Sequence, residues 1–167
     1  MVQLTHHEII EHKASKIVGR MIRTKALSKD IPELWERCFA EDLFTKLMNP
    51  EHFSEDLHPD TIGAMYGWDG DSFSYIVGTF LKADAPTEGY DFVDFPAGKA
   101  IITWVQGPIP QIYAEAPNLT EAKLLDLGFE ADYSQLFGIE IYTMERFVAE
   151  QEKGKGNAIL DYLIPLK

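Results

Sequence analysis

The spacing of apolar and polar positions in the first half of the chain predicts strands on either side of one helix. Residues 13–25 have strand character with flanking charges, as in an edge strand defended by Lys and Arg. Residues 30–48 carry apolar side chains at helical spacing. Residues 61–68 and 73–81 then alternate as strands around a turn at Asp69-Gly70. The predicted order is strand, helix, strand, strand.

The same order recurs in the second half, after a short extended piece at 90–95. It comprises a strand at 99–106, a helical region at 108–128 interrupted near Pro117, and strands at 135–143 and 158–166. Two units of roughly 70–80 residues therefore predict an α+β fold of duplicated β-α-β-β units with pseudo-two-fold symmetry. We expect one domain over residues 1–167, built from two fused halves at about 10–83 and 90–167, with no DNA-binding domain.

In this fold the sheets are antiparallel, the helices lie outside and a central groove is left free for a ligand. Asp30 is expected to cap the first helix, with Pro32 in its first turn. The apolar stripe of that helix includes Trp35, Cys38 and Phe39. Cys38 is the only cysteine, which excludes an internal disulfide and favours a cytoplasmic protein.

A single carboxylate, Glu140, interrupts an apolar strand. Side chains alternate along a strand, so one face is predicted to carry Phe137, Ile139 and Ile141, and the other Leu136, Gly138, Glu140 and Tyr142. Because an ionised Glu is rarely buried without a partner, Glu140 indicates a wet or ligand-filled concavity. If the helix covers the aliphatic face, Glu140 points into the groove. The alternative is a Glu on the solvated face of an antiparallel sheet.

Aromatic side chains make up 12% of the chain, and several occupy strand positions that could project into the groove. The candidates for ligand contact are Tyr66, Trp68, Tyr75, Trp104 and Tyr142 on strands, with Trp35 and Phe39 on the helix. Aromatic walls with one acid suit flat, cationic or electron-poor ligands through stacking and cation–π attraction. Each aromatic could instead be ordinary core.

Two expectations for Glu140 follow from this pattern. Glu140 should line the largest concave pocket together with Tyr66 and Trp68. Burial in an aromatic enclosure should raise its pKa, and a hydrogen bond from a Tyr should oppose that rise.

Charge and motif content exclude several classes of function. A net charge of −12 argues against nucleic-acid binding. The histidines (His6, His7, His12, His52, His58) form no metal-binding signature, and no cofactor motif is present. No apolar stretch approaches the length of a membrane span, and no signal peptide is evident. We expect no metal, cofactor, nucleic-acid or membrane partner, and a monomer or weak dimer.

Short motifs along the chain, in their order and spacing, resemble the GyrI-like small-molecule-binding domain family, which has an SHS2-duplication fold. This family is related to the effector-binding domains of AraC-type and MerR-type regulators. The resemblance covers roughly residues 10–167. It rests on Tyr66-Gly67, Phe73–Gly78, Phe95–Gly98, the strand ending at Gly107, Gly138–Tyr142 and Tyr162–Leu166.

The resemblance implies two β-α-β-β modules around a groove. It implies that Glu140 is the acidic residue at the groove floor, which contacts cationic drugs in regulator relatives, and that Tyr66 and Trp68 are groove-wall aromatics. The chain departs from the regulators in having no helix-turn-helix segment before the domain. It also has extra residues around 108–122, which could form a lid.

Three functions are compatible with this resemblance. The first is stand-alone binding of amphipathic or aromatic xenobiotics, cationic ones included, for sequestration or sensing. The second is detoxification by hydrolysis of cyclopropane-containing DNA-alkylating natural products, in which Glu140 positions or deprotonates water while Tyr66 and Trp68 hold the substrate. The third is a non-catalytic protein-partner module, such as a gyrase inhibitor.

Overall fold

The computed structural model describes residues 1–167, whose eight strands form one antiparallel sheet. The strands are β1 (Gln3–His12), β2 (Ser15–Thr24), β3 (Thr61–Tyr66), β4 (Phe73–Lys82), β5 (Asp91–Phe95), β6 (Gly98–Pro108), β7 (Leu136–Tyr142) and β8 (Asn157–Leu166). The helices are α1 (Asp30–Ala40), α2 (Leu43–Leu47), α3 (Gln111–Asp126) and α4 (Ala149–Gln151), with a 3₁₀ turn at Pro50–His52 and a π-helical turn at Met144–Val148. None of the helices combines the length and apolar character needed to span a membrane.

The strand order β1-β6-β8-β7-β3-β4-β2-β5 gives the sheet a pseudo-two-fold axis between β7 and β3. Each half contains the predicted β-α-β-β order, as β2-α1-β3-β4 and β6-α3-β7-β8. The predicted α+β class with duplicated antiparallel units is confirmed. The two halves meet at the β3–β7 pair, where Thr61–Tyr66 runs antiparallel to Leu136–Tyr142.

The leading strand of each half pairs with the other half. β1 lies beside β6, and β5 lies beside β2. The connections β1–β2 and β5–β6 are therefore short and adjacent, with the His12 ring stacked on Phe95 at 4.4 Å. Because β5 pairs only with Ser15–Gly19, β2 is an open edge only over its second half. The predicted edge strand at 13–25 is wrong for the first half of that strand.

The two faces of the sheet bury different cores. One face carries an aliphatic cluster that includes Ile62, Ile139 and Ile141, covered in part by Leu57 from the connection between α2 and β3. The opposite face packs against α1 through Leu34 and Cys38, and against α3 through residues of that helix. Glu140 lies on this second face. The helices therefore cover the face that carries Glu140, and the aliphatic face is buried by the sheet's own side chains.

The first helical segment ends earlier than predicted. Asp42 adopts a left-handed conformation (φ 57°) that separates α1 from α2. Asp30 does not cap α1. Its backbone N–H instead donates to Ser28 Oγ at 3.1 Å, and its carboxylate accepts from the Thr24 hydroxyl at 3.3 Å.

The second helical segment is continuous through Pro117, contrary to the predicted interruption. A proline inside a helix costs roughly 3 kcal/mol. Here the buried positions Ile112, Ala116, Thr120 and Leu124 recur every four residues and fix the helix on the sheet. Residues 111–122 therefore belong to a packed helix and do not form a lid.

Candidate functional site

A β-bulge between β3 and β7 sets which side chains line the candidate site. Met65 pairs with Gly138, whereas Tyr66 pairs with Leu136, so Phe137 is an extra residue on β7. Leu136 consequently packs in the aliphatic cluster, and Phe137 packs against Phe73 on the helix face. The simple alternation predicted for β7 is correct from Gly138 onward and wrong for the two residues before it.

Glu140 lies at the centre of the helix face and is held by a short chain of hydrogen bonds. The Tyr75 hydroxyl donates to Glu140 Oε1 at 2.8 Å, and Trp35 Nε1 donates to the same hydroxyl at 3.1 Å. Gly63 pairs with Glu140 across the sheet, and a Cβ at Gly63 would lie only 2.0 Å from the Tyr75 hydroxyl. Glycine at this position is what allows Tyr75 to reach the carboxylate.

The pseudo-two-fold axis repeats this arrangement with one exchange. Tyr75 pairs with Met65 in the first half, and Tyr162 pairs with Glu140 in the second. The Tyr162 hydroxyl lies over Gly138, 2.0 Å from where a Cβ would stand, as the Tyr75 hydroxyl lies over Gly63. Met65 therefore occupies the position in the first half that Glu140 occupies in the second. We call these residues the floor of the site: Gly63, Met65, Tyr75, Gly138, Glu140 and Tyr162. The floor is symmetric except that Glu140 supplies a carboxylate where the other half has Met65.

Aromatic side chains from both helices enclose this floor. Tyr142 makes edge-to-face contacts with Trp35 of α1 at 5.1 Å and with Phe147 of the π-helical turn at 4.8 Å, and its ring centroid is 6.4 Å from that of Tyr113 on α3. These distances lie in the range of favourable aromatic pairs. Tyr142 is thus fixed between the two helices, beside Glu140.

The rim of the site is formed by α1 and α2. Phe39 and Phe44 lie 6.0 Å and 6.2 Å from Trp35, and 5.5 Å from each other. Phe39 is 62% exposed, so it forms the outer part of the aromatic wall.

Burial dominates the electrostatics of the site. It raises the pKa of Glu140 to about 7, and hydrogen bonding from Tyr75 and Tyr142 opposes the rise. The predicted direction and the predicted opposition are both confirmed. Burial, followed by the neighbouring Glu140, raises the pKa of Tyr75 and Tyr142, and the same two causes raise the pKa of Tyr113 to about 12. The phenols are hydrogen-bond donors at neutral pH, while Glu140 is poised between its two charge states.

The structure brings together five of the residues predicted as site residues. Glu140, Tyr75, Tyr142 and Trp35 form the floor and wall, and Phe39 stands at the rim. Trp68 is 57% exposed and 6.3 Å from Phe73, which itself contacts Phe137, so Trp68 lies at the outer end of the same aromatic surface.

Tyr66 and Trp104 lie on the other face of the sheet, away from Glu140. Tyr66 packs against the aliphatic cluster, and its hydroxyl contacts the sulfur of Met21. Trp104 contacts the His6 ring at 4.2 Å and the Arg146 guanidinium at 4.4 Å. The alternation of side chains along β3 and β6 is the physical reason, because the helix-facing positions are the odd-numbered ones on both strands.

Two cavities of the molecule lie away from Glu140. One, of about 110 Å³, is lined at the β5–β6 connection by residues that include His12, Phe95 and Lys99. The other, of about 380 Å³, is an open polar concavity around Arg23 and Ser28. The expectation that Glu140 lines a pocket together with Tyr66 is wrong, because Tyr66 lies on the opposite face of the sheet, and neither of these two cavities includes Glu140.

Several residues of the site were not predicted. Tyr113, Met65, Tyr162, Phe44 and Phe147 contact the floor or the wall. A signal for Tyr113 exists in the sequence. Trp35 follows the buried Leu34 on α1 as Tyr113 follows the buried Ile112 on α3, but the expected break at Pro117 obscured that repeat.

Comparison with solved structures identifies the fold. SAV2435 bound to tetraphenylphosphonium superposes with a TM-score of 0.71 at 16% identity, covering 98% of this chain and 94% of that one. The EcmrR C-terminal domain gives 0.60 at 13% identity, with 97% of each chain covered. The chain has the fold of these proteins, as the resemblance to the GyrI-like family implied. No protein-family model matches the sequence, and no curated protein is detectably similar to it.

A third structure with this fold is a hydrolase from Listeria innocua encoded by lin2189. It has a TM-score of 0.53 at 11% identity, with 96% of this chain and 91% of that chain covered. At such identities the likeness concerns the fold, and the same fold accommodates different functions.

Proposed function

We propose that this protein binds amphipathic aromatic small molecules, with a preference for cations, above Glu140 on the helix face of the sheet. The observation that carries the proposal is the single carboxylate at the floor, partly open to solvent and surrounded by aromatic rings from both helices. A carboxylate in such surroundings gains most from a ligand that supplies a diffuse positive charge.

The walls favour a flat or ring-bearing ligand. Trp35, Tyr142 and Tyr113 present ring faces and edges from opposite sides of the floor. Cation–π contacts contribute about 0.5–2 kcal/mol each, more as the cation is desolvated. The net charge of −12 adds a long-range attraction for cations and repels anions.

Two neighbours by fold support the proposal. SAV2435 has been captured with tetraphenylphosphonium, an organic cation bearing four phenyl rings. The C-terminal domain of EcmrR has the same fold. Transferred to this chain, such a ligand would place its positive centre toward Glu140 and its rings among Trp35, Tyr113 and Tyr142.

Titration with tetraphenylphosphonium at pH 8, followed by calorimetry or by tryptophan fluorescence, tests the proposal. Glu140→Gln should weaken binding by about tenfold or more, since a charge pair near 5 Å is worth several kcal/mol at an intermediate dielectric. Glu88→Gln is the matched control because Glu88 is exposed in the loop between β4 and β5 and its loss changes the net charge equally. Equal affinities of wild type and Glu140→Gln would refute the proposed site.

A second pair of variants tests the rim. Phe39 and Phe92 are both exposed, at 62% and 43%, but Phe92 lies on the edge strand β5, four strands away from β7. Phe39→Ala should weaken tetraphenylphosphonium binding about threefold through lost ring contact. Phe92→Ala should leave the affinity unchanged.

Hydrolysis is a second candidate function, favoured by one observation. The pKa of Glu140 near 7 suits a general base at neutral pH. For a cyclopropane-containing substrate, Glu140 would take a proton from water as the water oxygen bonds to a ring carbon. The strained C–C bond would break, and its electron pair would be protonated. Tyr66 takes no part in this scheme, since it lies on the other face.

Product analysis separates the two candidates. A hydrolase should yield ring-opened product that is lost in Glu140→Gln, with a fall of about 10²–10⁴ in rate. Binding of cyclopropane-containing substrates without any ring-opened product above background would leave the binding proposal intact and remove the catalytic one.

A further inference from the structure

The hydroxyl of Tyr162, on the floor of the site, has no protein partner. The side chain is 2% exposed, and its hydroxyl makes no hydrogen bond within the chain. Ser15 Oγ is the only side-chain polar atom of the protein that is both fully enclosed and without a partner. The Tyr162 hydroxyl is therefore unpaired but reached by solvent, at the end of an otherwise buried ring.

This hydroxyl differs from its counterpart across the pseudo-two-fold axis. The Tyr75 hydroxyl is engaged twice, as acceptor from Trp35 and donor to Glu140. The Tyr162 hydroxyl lies over Gly138 beside the terminal methyl group of Met65, which offers no strong acceptor. A buried phenol normally finds a partner, because an unpaired hydroxyl forfeits the hydrogen bond it makes in water.

The position of this hydroxyl relative to Glu140 is set by the strand. Gly138 and Glu140 are two residues apart on β7 and face the same side, and their Cα atoms are about 7 Å apart. Met65 packs against the clusters under both α1 and α3, so this part of the floor also lies between the two helices. The carboxylate and the free phenol are neighbouring features of one surface.

We propose that the Tyr162 hydroxyl is a second polar anchor, which donates a hydrogen bond to a neutral acceptor oxygen of the ligand. The ligand class then becomes an aromatic cation that also carries a carbonyl or ether oxygen, on the part of the ligand that lies over Gly138. This inference rests on the proposed function. Burial and the neighbouring Glu140 raise the pKa of Tyr162, so the hydroxyl remains a donor throughout the pH range in which the protein would work.

Two matched probes test the inference: 4-acetylbenzyl-triphenylphosphonium and 4-ethylbenzyl-triphenylphosphonium. They share charge, shape and rings, and only the first has an acceptor oxygen. Wild type should bind the acetyl probe about three- to tenfold more tightly, the worth of one net hydrogen bond. Tyr162→Phe should abolish that preference and leave the affinity for the ethyl probe unchanged. Tyr66→Phe, whose hydroxyl lies on the other face, should keep the preference.

The outcomes distinguish the inference from the function on which it rests. If wild type binds neither probe, the proposed function fails. If both probes bind equally, or if Tyr162→Phe retains the preference, only the second anchor is overturned. A melting curve adds an independent test, since Tyr162→Phe removes no protein hydrogen bond and should not lower Tm. A fall of several degrees would reveal a structural partner and contradict the inference.

Discussion

Gly63 lies directly across the β3–β7 pair from Glu140, and the Tyr75 hydroxyl occupies the space that a side chain at position 63 would fill. The hydrogen bond from Tyr75 to the carboxylate therefore requires that the neighbouring strand has no Cβ at position 63. Gly63 has no side chain, yet it determines whether the Tyr75 hydroxyl can reach Glu140.

Gly63→Ala should displace Tyr75, because the new Cβ would stand 2.0 Å from its hydroxyl. Overpacking of this kind costs about 1–3 kcal/mol, which urea denaturation measures. Loss of the bond to Glu140 should weaken tetraphenylphosphonium binding at the same time. Gly98→Ala is the control, since a Cβ there meets nothing within 4 Å. Normal stability of Gly63→Ala would contradict the geometry.

Binding of a permanent cation should depend on pH through Glu140. Its pKa of about 7 means that the ionised fraction rises from about one tenth at pH 6 to about nine tenths at pH 8. Affinity for tetraphenylphosphonium should increase by nearly tenfold over that interval, as measured by calorimetry. Glu140→Gln should show a flat profile, and a wild-type profile that falls with pH would have the wrong sign.

The stability of the protein should show the opposite dependence. The pKa of Glu140 is raised from 4.5 to about 7 by folding, so the protonated form is favoured in the native state. Wild type should gain stability relative to Glu140→Gln as pH falls from 8 to 5, by about 2–3 kcal/mol at most. Urea denaturation of the two proteins at both pH values gives this difference. The contributions of the other acidic groups to the pH dependence cancel, because both proteins contain them.

Tyr75→Phe should move the pH midpoint of cation binding upward. The Tyr75 hydroxyl donates to Glu140 and stabilises its charged form, so its removal raises the pKa of Glu140 further. A hydrogen bond to a charged group is worth about 1.5–3 kcal/mol, which places the new midpoint about one pH unit higher or more. Tyr90→Phe should leave the midpoint in place, because Tyr90 directly precedes the edge strand β5 and its ring contacts the Arg20 guanidinium.

The ion pair of Arg146 and Asp161 should be a major contributor to stability. Arg146 Nε and Nη2 donate to the two carboxylate oxygens at 2.7 Å and 2.5 Å, and the Asp161 side chain is only 6% exposed. Arg146→Met would leave that carboxylate unpaired at a cost of about 3 kcal/mol or more. The deficit should shrink at low pH, where Asp161 is protonated.

The exposed pair of Lys13 and Glu55 is the comparison for that variant. Both side chains are more than 70% exposed, so Lys13→Met should change stability by about 0.5 kcal/mol or less. Similar losses from Arg146→Met and Lys13→Met would show that burial does not govern the strength of these pairs.

The repeated element order and the isolation of Glu140 could be predicted because both are periodic features. A carboxylate in an otherwise apolar strand is recognised easily, because it interrupts the hydrophobic pattern of that strand. The face that the helices cover could not be predicted in the same way. The aliphatic side of β7 is buried by the curved sheet itself, so hydrophobicity did not distinguish a helix-covered face from a sheet-enclosed one.

The misplaced residues have equally specific causes. The bulge at Met65/Tyr66 turns Phe137 toward the site and Leu136 away from it, and nothing in their side chains signals an extra residue. The break at Asp42 depends on a left-handed residue other than glycine, which local preference disfavours. Pro117 was expected to break a helix that its buried stripe holds together.

The exchanged leading strands have a consequence for the origin of the chain. β1 pairs with β6 from Gln3↔Gln106 to His12↔Gly98, and β5 returns the exchange by pairing with β2. In a single ββαββ unit the edge of the sheet would be unpaired, and the first strand would have no strand to pair with. In two separate copies, each first strand could pair with the free sheet edge of the other copy. The connectivity of the molecule is the one expected of two copies of a ββαββ unit that exchange their first strands and are joined through the segment 83–90.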